Sequence, residues 1–279
     1  MSDKTPVDDL IGGVPETMMV PLYARAAETQ RPDAIISDPH AVAMLDRIDY
    51  DFTRFTETHS SNLGVAIRTE ILDEWTAAYI KAHPTAQVIN IAAGLDTRFS
   101  RVDNGQITWV DLDLPASIAV RNKLITPGPR ERVIAQSVLD FTWVNALADP
   151  QKQTLFIIEG LLMYFTEEMV RELLTTLAAR FPGATALIEV MGVSQARETR
   201  SDAVQQTAAS FKWGIRHTAD LATWDERITV VRDESIFDRH AGRWHALDLD
   251  WGRATEIAWP ERLTVLRNTV DRIVELQFS

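Results

Sequence analysis

The sequence contains no cysteine. Disulfides, thiolate-bound zinc and a thiol nucleophile are therefore excluded at the outset. Positive charge is also short: 28 Lys and Arg stand against 40 Asp and Glu, a formal net charge of −12. A field of that sign disfavours nucleic acid and anionic lipid as partners, while a local basic pocket stays compatible with it. No stretch approaches the ~18 consecutive apolar residues of a membrane-spanning helix. The opening M-S-D-K-T-P-V-D-D-L has no apolar segment of the signal-peptide kind. The expectation is a cytoplasmic protein that works on a small molecule; the oligomeric state is left open.

What is present is enough for a sizeable core: 279 residues, 46% of them hydrophobic. The chain is expected to be a single domain, with 1–84 as an N-terminal helical cap and 85–279 as an α/β core. Residues 1–15 are polar and expected to be a mobile lead-in. Apolar residues recur at helical spacing across 16–45 (Met18, Met19, Leu22, Ala26), and Asp38-Pro39 marks a second helix start. Residues 62–82 form a strong helix pattern, closed by His83-Pro84. From there strands and helices alternate. Strands are expected at 87–92, 107–111, 132–138, 155–159 and 186–190, with helices at 115–124, 141–148 and 166–180. This order implies a mainly parallel sheet with helices on both faces. A helix is expected over 193–211, and two further strands at 228–231 and 270–278.

The stretch V-I-N-I-A-A-G-L-D-T-R at 88–98 organises the rest. A β-branched run stops at small residues and turns through Gly94, Asp96, Thr97 and Arg98, as a buried strand does where its backbone passes close to a ligand. A tight turn with no ligand fits Gly94 equally well. The next strand, I-T-W-V-D-L-D-L-P, carries Asp111 and Asp113, 17 and 19 residues beyond Gly94. A small-residue turn followed by such an acid is the layout of a nucleoside crevice, the acid taking ribose hydroxyls. Helix capping is an alternative for Asp113, and simple surface exposure for Asp111. One glycine here, where G-x-G-x-x-G needs three, argues against a nicotinamide cofactor. Glu159 ends the apolar strand L-F-I-I-E, at the rim these sheets use for ligands.

In this order A-A-G-L-D-T-R, W-V-D-L-D-L-P, S-V-L-D-F-T-W and F-I-I-E-G-L-L-M-Y-F resemble the leucine carboxyl methyltransferase family, in particular its bacterial branch of polyketide-synthesis O-methyltransferases. P-L-Y-A-R-A-A-E-T-Q-R-P-D and G-V-A-I-R-T-E-I-L-D fit the same pattern, and the resemblance covers about 17–190. It implies a class I S-adenosylmethionine-dependent methyltransferase: a Rossmann-like, doubly wound sheet of seven strands in the order 3-2-1-4-5-7-6, the last antiparallel. It further implies that Gly94 and Asp96 lie against the cofactor and that Asp113 holds the ribose. Arg68, assisted by Arg25, would pair with the methionine carboxylate, a match that a two-pronged guanidinium makes well. Ser137, Val138 and Asp140 would flank adenine, and Glu159 would approach the methionine amino group or the transferred methyl.

Two positions depart from the family pattern. Ala92 stands where the first glycine of G-A-G is common, and Ser137-Val138 where Asp-Leu is. Ala92 raises the question of weaker cofactor binding; Ser137 and Asp140 both remain candidates for adenine.

No residue is assigned a catalytic role outright. Glu159 and Tyr164 are the candidates for lining the methyl-transfer site, and Tyr23 is a further possible lining group. No histidine lies in these motifs, which favours a carboxylate acceptor, already ionised and in need of no base. A hydroxyl on a polyketide-like compound is the alternative, with His217, His240 or His245 as a base. His240 and His245 are five apart with Asp238 beside them and read as a loop; no third ligand stands at usable spacing, so no metal is expected. A nucleotide-dependent oxidoreductase and a non-catalytic cofactor-binding protein are the rival readings. The retained Arg68, Asp113 and Glu159 argue against the second.

Overall fold

The structure is a computed structural model, and it describes residues 5–6, 14–147, 149, 152–198, 201–247 and 271–279. Most of the expected lead-in, residue 148 and residues 199–200 lie outside these. Position 270 of the expected last strand does too.

The cap comes first. Helix α1 spans Met19–Thr29, α2 spans Pro39–Arg47 and the long α3 spans His59–Ala82. Asp38 caps α2, accepting from Ala41 N at 3.0 Å, as the Asp-Pro pair predicts. The same fully buried carboxylate accepts from Arg25 Nε at 2.9 Å, Thr97 Oγ1 at 2.6 Å and Arg101 Nη1 at 3.1 Å. Thus one side chain ties α1 and α2 to the turn that follows the first strand of the sheet.

The sheet is built from β1 (Gln87–Ile91), β2 (Thr108–Asp113), β3 (Glu131–Ala135), β4 (Thr154–Ile158), β5 (Thr185–Val190), β6 (Ile228–Ser235) and β7 (Arg272–Phe278). Their order is 3-2-1-4-5-7-6, with β7 antiparallel to both neighbours, as the resemblance implies. Connecting helices are α4 (Arg98–Val102), α5 (Pro115–Leu124), α6 (Val144–Leu147), α7 (Glu167–Arg180), α8 (Val193–Glu198) and α9 (Ala241–Ala246).

Both faces of the central strands are apolar because both are covered. Ile89, Ile91, Phe156 and Ile158 pack with Leu173 and Leu177 of α7. Val88, Leu155 and Ile157 face the other way, onto Ile67, Ile71 and Trp75, four apart along α3. Each such fully buried side chain contributes about 1.5–3 kcal/mol. Asn90 breaks the apolar pattern of β1; it is buried and donates to Asp96 and Asp111 at 3.2 and 3.1 Å.

Several boundaries differ from expectation. β3 ends at Ala135, so Ser137 and Val138 belong to the loop beyond it. The expected helix at 141–148 is a 3-10 turn, Phe141–Trp143, running into the single turn of α6. The expected helix over 193–211 is α8 followed by a separate 3-10 turn at Val204–Gln206. Asp202 is drawn away from helical bonding by the start of α3. Its Oδ2 accepts from Ser60 Oγ at 2.9 Å and its Oδ1 from Ser61 N at 3.2 Å. β6 runs on to Ser235 through an irregularity between Val230 and Arg232 that turns Val231 out to solvent.

Candidate active site

At the C-terminal ends of β1, β2, β4 and β5 lies a cavity of about 240 Å³, roofed by α1 and the start of α3. A doubly wound sheet offers its ligand crevice at that edge.

The turn after β1 is held from three sides. Gly94 N donates to Asp113 Oδ2 at 2.7 Å, and Arg121 Nη1 reaches Gly94 O at 3.0 Å. Gly94 has φ +45°, and a Cβ there would stand 3.0 Å from Met18 Cβ. The missing side chain therefore admits the cap, and the glycine lines the cavity beside Met18. Ala92 is also left-handed, at φ 56°. That conformation suits glycine and strains an L side chain.

Asp113 lines the cavity, and its Oδ1 accepts from Leu114 N at 2.6 Å. Burial pushes its carboxyl above the ordinary aspartate value, against those hydrogen bonds. Asp111 is not a surface carboxylate: it is buried, with Arg121 Nη2 at 2.6 Å and Trp109 Nε1 at 2.9 Å. Ser137 and Val138 line the cavity, joined by Gln136. Asp140 is turned elsewhere and caps the 3-10 turn, accepting from Thr142 N at 3.3 Å.

Beyond this end lies an ion-pair network. Arg68 on α3 gives Nε to Glu159 at 2.8 Å and Nη1 to Glu189 at 3.0 Å. Arg98, 1% exposed, gives Nη2 to Glu159 at 2.7 Å, Nη1 to Asp96 at 2.9 Å and Nε to Asp73 at 2.6 Å. Burial alone would raise the Glu159 carboxyl, but Arg68 and Arg98 outweigh it and hold it below its ordinary value. Asp96 is also held below its ordinary value, its burial overcome chiefly by Arg98 and Arg101. Arg25 also borders the cavity, with its Nη2 bracing Leu95 O at 2.8 Å.

Glu189 and Arg98 carry this network without having been assigned a role from sequence. The signal for Glu189 was an acid inside an otherwise apolar strand, A-L-I-E-V, as at Glu159. Gly160, at φ +65°, donates to Glu189 Oε2 at 2.6 Å and so turns the chain past that acid. Tyr164 lines the cavity, its hydroxyl pushed up to about 12 by burial. Tyr23 packs instead on Phe52 and Phe55. None of the histidines borders the cavity among the described residues. His240 meets Glu70 at 2.9 Å on the outside, and no metal-binding group of His, Asp and Glu occurs among the described residues.

Comparison with known proteins agrees with this fold. A profile of the leucine carboxyl methyltransferase family matches residues 18–178. The chain belongs to that family. It is 32% identical to the tetracenomycin polyketide synthesis O-methyltransferase TcmP of Streptomyces glaucescens, over 85% of this chain and 84% of that one. It is 28% identical to the S-adenosyl-L-methionine-dependent methyltransferase dpfgK of Gibberella zeae, over 61% and 62% of the two chains. In fold it is similar to a DUF574 family protein from Streptomyces avermitilis, with TM-score 0.58 at 12% identity over 94% and 97% of the chains.

The chain is a methyltransferase, and the family uses S-adenosylmethionine as methyl donor. The donor set fits that group: a buried acid for hydroxyls at β2, a guanidinium for a carboxylate on α3, and an ionised acid for an ammonium at β4. Arg68 Nη2, beside Gly160, has no protein hydrogen bond among the described residues and is available for a ligand carboxylate.

Proposed function

We propose that this methyltransferase transfers the methyl of S-adenosylmethionine to a carboxylate oxygen of a small molecule. Asp113 would hold the ribose hydroxyls, Arg68 the methionine carboxylate and Glu159 its ammonium group, with Ser137 and Val138 beside the adenine. Arg98 keeps Glu159 ionised and oriented for that task. The sulfonium supplies an electrophilic methyl group; the protein aligns the acceptor in line with it and excludes water.

The carboxylate reading rests on one observation: among the described residues, no ionised and unengaged base borders the cavity. Glu159 and Glu189 have both oxygens occupied by arginine or backbone N–H groups, the Asp271 carboxyl is pushed up to about 8 by burial and Glu189, and histidine is absent from the lining. A carboxylate needs no deprotonation before it attacks, whereas a phenol or alcohol benefits from a base. The family's description and the O-methyltransferase name of the Streptomyces relative support oxygen as the receiving atom.

The test is transfer from S-adenosylmethionine labelled in the methyl group to a panel of carboxylic acids, phenols and alcohols. Esters release labelled methanol in mild alkali, and that release is expected. A product stable to alkali, as ethers are, would overturn the carboxylate reading and leave the methyltransferase intact.

A further inference from the structure

Past Arg68 and Glu159 the cavity continues beneath β5 and β7, on the side away from Asp113 and Ser137. The groups assigned to the cofactor leave this wall unused, and it carries two buried polar atoms without partners. Gln195 on α8 and Asp271, just before β7, both border the cavity. Their only mutual contact is long, Gln195 Nε2 to Asp271 Oδ2 at 3.4 Å. Asp271 Oδ1 and Gln195 Oε1 are closed off from solvent, and neither has a hydrogen-bond partner among the described residues. Buried polar atoms are rarely left so, and two on one wall point to a ligand that completes them.

We propose that Asp271 and Gln195 form the subsite that holds the carboxylate of the methyl acceptor, with Asp271 donating an O–H to it as a neutral acid. This deepens the carboxylate reading above and rests on it.

The wall's charges explain why the proton sits on Asp271. The charged groups facing it are Glu189 and Arg68, with the Tyr164 hydroxyl near by. Burial and the neighbouring Glu159 raise the Glu189 carboxyl too, but it receives Arg68 Nη1 on one oxygen and Gly160 N on the other, donors that Asp271 lacks, so of the two acids the proton settles on Asp271. Among the described residues Asp271 has only the distant amide. Burial and the neighbouring Glu189 push its carboxyl up to about 8, so it is neutral at pH 7.

Were both acids ionised, an anionic acceptor would meet like charge. With Asp271 neutral, the acceptor meets an O–H instead. Gln195 Nε2 stays on Asp271 Oδ2, which leaves the single proton of the neutral acid on Oδ1, the oxygen without a partner among the described residues, to be donated to the acceptor.

The probe is benzoate, titrated calorimetrically into the complex with S-adenosylhomocysteine at about pH 6.5 and about pH 9.5, on either side of the Asp271 titration. Benzoate is expected to bind at least about tenfold more weakly at the higher pH, the scale of losing a hydrogen bond to a charged group. Asp271→Asn keeps an N–H donor without a charge, so its benzoate affinity should no longer change with pH. Asp271→Leu should bind about tenfold more weakly even at the lower pH.

The wild-type protein supplies a check that needs no variant. The infrared carbonyl band of a protonated carboxyl should vanish as pH rises through about 8, and benzoate should shift it. Benzoate binding that ignores both pH and the substitutions overturns the subsite and leaves the carboxylate reading standing. Phenol binding that strengthens with pH, without benzoate binding, overturns both and makes Asp271 a base. Failure of both probes to bind overturns the subsite.

Discussion

Arg98 Nη2 lies 2.7 Å from Glu159 Oε2, joining the turn after β1 to the end of β4 beneath the cavity floor. The guanidinium also serves Asp73 and Asp96, so one buried cation bonds to three carboxylates, with Arg68 and Arg101 sharing them.

Removing that cation leaves uncompensated buried charge. Arg98→Leu is expected to lower stability by about 3–5 kcal/mol. Arg98→Lys should recover little of it, because one ammonium cannot span the three directions that the guanidinium fills. Urea unfolding midpoints of the two variants test this; a loss below ~1 kcal/mol in Arg98→Leu would show that the network contributes little.

Cofactor affinity should respond at both ends of the crevice. Asp113→Ala and Arg68→Ala are each expected to weaken S-adenosylhomocysteine binding by about 1–3 kcal/mol. Calorimetry on folded variants decides; unchanged affinity in both would refute the assignment of these two residues to the cofactor.

Ala92 adopts φ 56°, where a side chain is strained and glycine is not. Ala92→Gly should therefore stabilise the protein, by about 0.5–1 kcal/mol once the greater chain entropy of glycine is subtracted. An unchanged or lower thermal midpoint would mean that the Ala92 methyl contributes packing that offsets its backbone strain.

Two opposed pH effects are expected. Asp38, Asp96 and Glu159 are held below their ordinary values by arginines, so their contribution is present above about pH 4 and lost as pH falls through the folded values. Asp271 is raised to about 8, so the native state binds its proton more tightly than the unfolded chain. Stability from this group accordingly declines as pH rises from about 4 to 8. Asp271→Asn should gain on wild type across that window. Parallel denaturant curves at the two ends of the window measure it, and a constant difference would exclude the raised Asp271.

The sheet was legible in the sequence because its physics is repetitive. Runs such as L-F-I-I-E can be buried on both faces only between helices, and alternating strands and helices order such a sheet. The crevice was legible wherever an acid or a small residue ended such a run, as at Gly94, Asp113 and Glu159. Glu189 carried the same signal inside β5 and was passed over. Asp271 and Gln195 had no local signal at all. They meet only because antiparallel β7 returns beside β5, a relation that spacing along the chain does not encode. Arg68 is legible through the family resemblance alone, and Arg98 reads as part of the turn after the first strand; only the three-dimensional structure places both between acids. The helix expected across 193–211 failed for a similar reason, since Asp202 answers to serines from a distant part of the chain.

The bonds that converge on Asp38 bear on how molecules reach the cavity. Swinging α1 and α2 aside would strand an ionised carboxylate and two guanidinium groups in a dry interior, so this part of the roof behaves as masonry. The opposite wall is fastened at the start of α3 by hydroxyl and amide bonds from Ser60 and Ser61 to Asp202, in a partly exposed setting where water can replace them. The two fastenings therefore differ in what loosening them costs: a buried ion-pair cluster on one side of the cap, and hydrogen bonds that water can replace on the other.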